Sequence, residues 1–423
     1  MDESISSDTA ASPFWGYLSR TLENALQGDV SAIFATIATG LISTGLGWIL
    51  IKIYNHHAEM QKLKESHIEE IEGLKRSQEI ELARKDGIIS SLRQTIFQID
   101  ESVRGNGLWL SRPISTSSSE YQKSKIPILS VANLKGGVGK TTTTANLAAF
   151  LGSKGKRVLA IDLDFQGSLS SLRANAELVP AGGVSAASQL ARGELPARNL
   201  VALLGPIQGA PKVSVLPAYY DLARIENATM IHWLTGHEPR DVRYLIKDVL
   251  YSDDVQNAFD VIVIDCPPRL TTGAIQALAS STHLLIPTIL DHLSVIAVQS
   301  FLDQIVVNRL IWPKLRLAGV VGTLTNNDIG KLISDEWDKS KFSGAEPSAL
   351  RQLEISLSEF RDSTDFPLPA HVMLPYTTYV PRKFDIGRAA DEGLAFVQGS
   401  PEVRSVFERL GVEVSKRIGL SLE

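Results

Sequence analysis

The chain of 423 residues has one cysteine, Cys266, and eight histidines that show no metal-ligand spacing. A single cysteine excludes an intramolecular disulfide, and the missing H-x-x-x-H and Cys/His patterns argue against a structural zinc site. Basic residues are not in excess either, because 42 Lys and Arg stand against 47 Asp and Glu, which gives a net charge of −5. This balance argues against a nucleic-acid-binding surface on all sides of the molecule.

Charged residues are absent from Val30 to Ile51, a run of 22 residues. At about 1.5 Å per residue, a helix of this length spans roughly 33 Å, which is enough for the hydrocarbon core of a bilayer. We therefore predict a transmembrane helix over residues 30–54, preceded by a short extracytoplasmic segment, residues 1–29. A buried core helix is the alternative. A cleaved signal peptide is disfavoured because Arg20 is the only basic residue before the run.

Lysines follow this run closely, at Lys52, Lys62 and Lys64. The positive-inside bias therefore places the C-terminal side in the cytoplasm. The expected localisation is the inner or plasma membrane, with a single span and most of the chain in the cytoplasm.

Proline is absent from His56 to Asp100, where charged residues alternate with apolar ones at helical spacing. The apolar positions recur first at steps of eleven and then as heptads, at Met60, Leu63, Ile71, Leu74, Leu82, Ile89, Leu92, Ile96 and Ile99. We predict a coiled-coil stalk over residues 55–102 that pairs in parallel with a second copy. A single amphipathic helix on a bilayer surface is the alternative. Residues 103–125, with glycines and a serine-rich run, are predicted to be a flexible linker.

A phosphate-binding loop follows, between a predicted buried strand over residues 126–131 and a predicted helix over residues 141–151. Its glycines allow backbone N–H groups to surround a polyphosphate, while Lys140 reaches the β- and γ-phosphates and Thr141 can bind Mg²⁺. The predicted binding residues are Gly136, Gly137, Val138, Gly139, Lys140, Thr141 and Thr142. ATP and Mg²⁺ are the expected cofactors.

Two apolar strands farther along the chain end in carboxylates, at Asp162, which is followed by Asp164, and at Asp265. Phosphoryl transfer needs metal neutralisation and a positioned nucleophile, so carboxylates beside a triphosphate make chemical sense. The predicted fold class for residues 126–423 is α/β, with a mostly parallel sheet and helices on both faces.

These motifs resemble the ParA/MinD family of deviant Walker ATPases, and the resemblance runs from about residue 126 to residue 410. Leu134 replaces the first glycine of the general phosphate-loop pattern, and Lys135 opens the family's K-G-G-x-G-K-[ST]. The resemblance implies a homodimer with ATP between two protomers, in which Lys135 crosses to the second subunit's nucleotide. It also implies that Asp164 orients the attacking water and that Asp162, Thr141 and Asp265 lie at the metal.

Two further nucleotide-binding candidates come from the same resemblance. Asn326 follows a strand where related proteins often place an adenine-contacting residue, and Pro375 ends a segment that looks like the family's nucleotide-side loop. A turn-forming role is the alternative for Asn326. ParA-like proteins that bind DNA use local basic patches, so nucleic acid is a possible but unsupported partner here. The basic residues that could form such patches are Arg382, Lys383, Arg404, Arg409, Lys416 and Arg417.

The expected function is a membrane-anchored ATPase that dimerises on ATP and hydrolyses it to switch the binding of an unknown partner protein. Positioning, assembly control and a stress or phage-defence complex are the roles considered. One alternative, a bacterial tyrosine kinase, is disfavoured because residues 382–423 contain no tyrosine. The other, a nucleotide-binding membrane scaffold without turnover, is disfavoured by the acidic residues named above.

Overall fold

The computed structural model describes residues 46–114, 123–173, 183–326, 342–383, 386 and 394–422. The chain divides into two compact units between Gln94 and Thr95. The described part of the first unit belongs to one helix, α1, which runs from Leu46 to Asn106.

Helix α1 contains 61 residues and no proline. Side chains of opposite charge one turn apart support it, for example Glu81 and Lys85, whose oxygen and nitrogen lie 2.8 Å apart. Eight of the nine apolar residues of the predicted seam are exposed, including Leu74 and Leu82, and Ile99 is half-buried. The residues of the predicted stalk thus form a helix, and the pairing of two such helices stays a prediction.

The predicted membrane localisation is wrong: among the described residues, no helix is long and apolar enough to cross a bilayer. The predicted span, residues 30–54, lies outside the described residues apart from residues 46–54, which form the start of α1. Charged side chains occur along α1 from Lys52 onward, so this helix contains no apolar stretch of the required length.

The second unit is built on a mixed sheet whose described strands number eight. In chain order they are β1 (Ile128–Val131), β2 (Val158–Asp162), β3 (Gly205–Ile207), β4 (Ala210–Leu216), β5 (Val261–Asp265), β6 (His283–Ile289), β7 (Arg316–Thr325) and β8 (Val380–Pro381). The spatial order is β3-β4-β2-β5-β1-β6-β7-β8. The β3/β4 pair is antiparallel, and every other pair of neighbouring strands is parallel. Every residue of β1, β2 and β5 is buried, as expected for central parallel strands. The predicted mostly parallel α/β fold is confirmed.

Helices flank this sheet and connect its strands. They are α2 (Lys140–Ser153), α3 (Ala186–Ala191), α4 (Ala197–Leu200), α5 (Asp221–Leu234), α6 (Leu245–Leu250), α7 (Asp253–Ala258), α8 (Thr272–Ser280), α9 (His292–Val307), α10 (Glu346–Ser363), α11 (Ala395–Gln398) and α12 (Pro401–Ile418). Several begin where the sequence supplies a capping side chain. Thr271 accepts from the Ala274 N–H at the start of α8, and Asp291 accepts from the Ser294 N–H at the start of α9.

The second unit also includes a short segment before β1, residues 108–113, which we call the strap. The indole rings of Trp109 and Trp233 stack with centroids 6.4 Å apart. The guanidinium of Arg243, which is fully buried, donates to the carbonyl oxygens of Trp109, Arg112 and Pro113 at 2.7, 3.2 and 2.8 Å. Part of the predicted flexible linker is therefore bound to the body of this unit.

Candidate nucleotide site

The phosphate-binding loop connects β1 to α2, and two of its residues adopt a backbone conformation that favours glycine. Gly137 and Gly139 have φ angles of 71° and 76°, a region that other residues rarely adopt. The space beside Gly136 and Gly137 is open, since a Cβ built on either would meet no atom within 4 Å. The loop therefore presents an accessible backbone at the N-terminus of α2, where N–H groups can receive phosphate oxygens.

Lys140 lies inside this loop. Its Nζ donates to the carbonyl oxygen of Lys135 at 3.0 Å, and the residue is only 7% exposed. Burial lowers the pKa of Lys140, while the nearby carboxylates of Asp265 and Asp164 act in the opposite direction. The ammonium is thus held where a β/γ-phosphate would add negative charge beside it.

Two carboxylates lie side by side at the carboxyl ends of neighbouring strands. Asp162 and Asp265 are paired in the β2/β5 register, and both are buried. Oδ2 of Asp265 accepts from the Thr141 hydroxyl at 2.6 Å, whereas Oδ1 is buried without a hydrogen-bond partner. Burial raises the pKa of Asp265 well above its ordinary range, and Asp162 raises it further.

Both carboxylate oxygens of Asp162, unlike those of Asp265, accept hydrogen bonds from the loop that follows β2. Its Oδ2 accepts from the backbone N–H and the hydroxyl of Ser170 at 2.9 and 2.6 Å, and its Oδ1 accepts from the Asp164 N–H at 3.0 Å. These bonds fix the loop after β2. In this structure the side chain shapes the loop, and its predicted metal role stays a prediction.

The residues present fit a Mg²⁺ ion. Mg²⁺ in nucleotide sites is usually held by one or two protein groups, the phosphates and water, so a cage of several acidic side chains is not required. The unpartnered Asp265 Oδ1 beside the Thr141 hydroxyl supplies the oxygen donors that such an ion uses.

A cavity of about 570 Å³ opens over the loop. Its lining brings together most of the predicted residues, namely Gly136, Gly137, Gly139, Lys140, Thr141, Thr142 and Asp164. Val138 is buried beneath the loop, and its carbonyl oxygen accepts from the hydroxyl of Thr323 at 2.9 Å.

Asn326 and Pro375 are not among the lining residues. The Asn326 backbone N–H donates to the Glu346 carboxylate at 2.7 Å, which suits the turn role more than a base contact. Leu324 and Leu394 line the cavity instead. Leu324 has a φ of 54°, the only positive φ of a non-glycine residue in the described part of the chain, and no local sequence signal indicated it.

Lys135 is not among the residues that line this cavity, and its side chain contacts the start of α9. Its Nζ contacts both carboxylate oxygens of Asp291 at 3.1 Å and donates to the Ser294 hydroxyl at 2.7 Å. The Asn133 side chain accepts from the Lys135 N–H at 2.9 Å and holds the start of the loop. The two lysines of the loop thus have separate positions, one in the cavity and one at the start of α9.

Three candidate basic residues have contacts within the unit. Arg417 donates to the carbonyl oxygens of Ala318, His371 and Met373, and it pairs with Glu413 at 2.7 Å. The other two, Arg404 and Arg409, also donate to backbone carbonyl groups. These contacts are structural, so they add no support for the nucleic-acid partner.

Comparison with known proteins agrees with this geometry. A family model described as an AAA domain matches residues 126–314. The chromosome-partitioning ATPase Soj of Thermus thermophilus is 34% identical over 204 residues, which cover 48% of this chain and 71% of Soj. The chain belongs to the ParA/Soj family of P-loop ATPases.

Other relatives match over a smaller share of their length. A putative replication protein A of Sinorhizobium fredii is 31% identical over 225 residues, 53% of this chain, and the match spans only 51% of that relative. The chain thus spans about half the length of this relative.

A solved structure shows the same fold. The ATP complex of McdA from Cyanothece is 19% identical, with a TM-score of 0.52, and the match covers 71% of this chain and 98% of McdA. A MinD structure from Pyrococcus horikoshii contains Mg-ADP; it is 20% identical with a TM-score of 0.44, and the match covers 69% of this chain and 96% of MinD. The predicted nucleotide, ATP, agrees with the ATPase family to which the chain belongs and is the nucleotide in the McdA complex. Mg²⁺ stays a prediction for this chain.

Proposed function

We propose that two copies of this chain close on ATP and Mg²⁺, hydrolyse the ATP, and thereby switch the binding of a partner protein. The observation that carries this proposal is the separation of the two loop lysines. Lys140 lines the cavity of its own subunit. Lys135 does not line that cavity, and its Nζ contacts the carboxylate of Asp291. A lysine at this surface is suited to reach a nucleotide bound by a second copy.

The remaining residues have complementary roles in the proposed reaction. Thr141 and Asp265 would hold the Mg²⁺ ion, which neutralises phosphate charge when bound. Lys140 would stabilise the β- and γ-phosphates. Asp164 lines the cavity and is only partly buried, so its carboxylate can orient a water molecule beside the γ-phosphate.

The relatives support a role in positioning. Soj is named for chromosome partitioning, and a positioned macromolecular cargo is the kind of partner that such a name suggests for this chain. We also propose that α1 pairs two copies, because its exposed apolar residues follow the spacing of a coiled coil.

A mixing experiment on the full chain tests whether Lys135 acts in trans. The Lys135→Ala variant keeps its own Asp164, and the Asp164→Ala variant keeps a Lys135 that it can donate to a partner. Each variant alone should be nearly inactive. Co-expressed as a random mixture, the two should recover about a quarter of the wild-type ATPase activity, since half of the two-fold dimers are mixed and each has one complete site.

A second mixture pairs Lys140→Ala with Lys135→Ala. The Lys140→Ala subunit binds no nucleotide but can still donate its Lys135, so this mixture should also recover about a quarter of the wild-type activity. Activity of the first mixture equal to the sum of its separate components would show that Lys135 acts in cis and would refute the proposed dimer. A wild-type protein that binds ATP without turnover would instead favour the scaffold alternative.

A further inference from the structure

Glu226 lies in the middle of α5 and is only 5% exposed. Its Oε1 accepts from the Thr271 hydroxyl at 3.0 Å and from the Gly273 N–H at 2.7 Å. Its own backbone carbonyl accepts from the Thr272 hydroxyl at 3.1 Å. Among the described residues, no basic side chain pairs with this carboxylate, so its hydrogen bonds converge on the three residues at the start of α8.

This contact is close and needs a glycine. A Cβ on Gly273 would lie 2.2 Å from Oε1 of Glu226, so any other residue at position 273 would displace the carboxylate. The partial positive charge of the helix N-terminus favours a carboxylate at this place. Glu226 therefore joins α5 to the first turn of α8 through both its side chain and its backbone.

The first turn of α8 is the far end of the loop that leaves Asp265. Residues 266–270 connect the two, and Pro268 within this loop lines the nucleotide cavity. Asp265 itself accepts from Thr141. Both ends of the loop are thus anchored, one at the phosphate-binding loop and the other at Glu226.

The start of α5 is in turn linked to the loop that carries Asp164. The Ala218 N–H, shortly before α5, donates to the Ser170 hydroxyl at 2.8 Å, and the same hydroxyl donates to Asp162. The aromatic rings of Phe165 and Tyr220 also lie 6.3 Å apart. α5 therefore connects the loops on the two sides of the cavity.

We infer that Glu226 is a positioning residue for ATP hydrolysis, which holds the loop after Asp265 in the geometry that the reaction needs. Glu226 is not among the residues that line the cavity, so it acts through Thr271 and Gly273. The inference rests on the proposed function, because it assigns Glu226 a part in that reaction.

A glutamine is the suitable conservative variant. The pKa of Glu226 is raised to about 7. Burial is the largest cause and Asp164 adds to it, while the hydrogen bonds from Thr271 and Gly273 act in the opposite direction. A neutral side chain is therefore compatible with this environment. The Oε1 of glutamine can accept the same two hydrogen bonds, whereas alanine removes the acceptor.

The test compares Glu226→Ala, Glu226→Gln and the control Ile225→Ala in the full chain. Ile225 is a buried neighbour on α5, so its truncation lowers stability without removing the anchor. We expect Glu226→Ala to lower kcat by about ten- to a hundredfold with KM for ATP nearly unchanged, because the loop is misplaced while the phosphate-binding loop is intact. Glu226→Gln and Ile225→Ala should keep kcat within about threefold of the wild type.

Hydrogen–deuterium exchange of residues 269–273 gives a readout that needs no turnover. The Gly273 amide should exchange faster in Glu226→Ala and at the wild-type rate in Glu226→Gln. Unchanged exchange, or an unchanged kcat for Glu226→Ala, would overturn the inference. An inactive wild type would refute the proposed function instead, and exchange alone would then decide whether Glu226 anchors this loop.

Discussion

At the scale of single residues, the ion pair between Lys135 and Asp291 competes with the proposed contact of Lys135 with the nucleotide of a second subunit. The two side chains are 28% and 41% exposed, so the ion pair stabilises this position by only about 0–1 kcal/mol. Asp291→Asn should keep the hydrogen bond to the Ser294 N–H while removing the charge that attracts Lys135. We expect Mg·ATP to bind up to about fivefold more tightly in the Asp164→Ala background, measured by calorimetry on the full chain.

The double variant Asp291→Asn with Lys135→Ala separates the causes of such a change. In the absence of Lys135, the Asp291 substitution should have no effect on ATP affinity. Weaker binding in the single variant would show that Asp291 itself makes a contact needed in the closed state.

The sequence predicted the residues whose positions follow from local pattern. Lys140 and Thr141 are fixed by the spacing of the loop motif, and Asp265 by the end of an apolar strand, and the structure brings these three together. Glu226 had no such signal, because its partners lie more than 40 residues farther along the chain. The positive φ of Leu324 likewise has no local signature in the sequence.

At the scale of elements, the strap depends on one buried ion pair. Arg243 is fully buried and pairs with Asp241, which is 9% exposed, at 2.6 Å. Arg243→Ala removes the buried cation that pairs with Asp241 and the three hydrogen bonds to the strap. We expect the free energy of unfolding of the second unit to fall by about 3–5 kcal/mol, measured by chemical denaturation of the full chain with tryptophan fluorescence as the probe.

A neighbouring pair with the same sequence spacing provides a matched control. Arg240 and Glu238 lie 3.0 Å apart, but Arg240 is 47% exposed. Arg240→Ala should therefore cost only about 0–1 kcal/mol. Equal losses for the two arginine variants would mean that burial of the strap contact does not stabilise this unit.

The strands were predictable from the sequence, and the strap was not. Apolar runs predicted strands at β1, β2 and β5, and the structure places all three in the centre of the sheet. The strap was assigned to a linker because glycines precede it and a serine-rich run follows it. Its binding depends on Arg243, which is 134 residues away from Trp109.

At the scale of the whole molecule, pairing through α1 would keep two nucleotide-binding units at high effective concentration. ATP would then close a dimer that already exists. The full chain should be dimeric by light scattering at micromolar concentration, with or without Mg·ATP. Lys135→Ala should leave this dimer intact, because it removes only the contact to the second nucleotide.

Substitutions on α1 test the pairing directly. Ile89→Lys combined with Ile96→Lys places charge in the predicted seam, and both side chains are already exposed in the single chain, so the fold of each unit should persist. This variant should be a monomer without nucleotide and a dimer with Mg·ATP in the Asp164→Ala background. Ser91→Lys with Gln98→Lys adds the same charge on the opposite face of the helix and should remain dimeric throughout. A wild-type chain that is monomeric without ATP would show that α1 does not pair, and dimerisation would then depend on the nucleotide site alone.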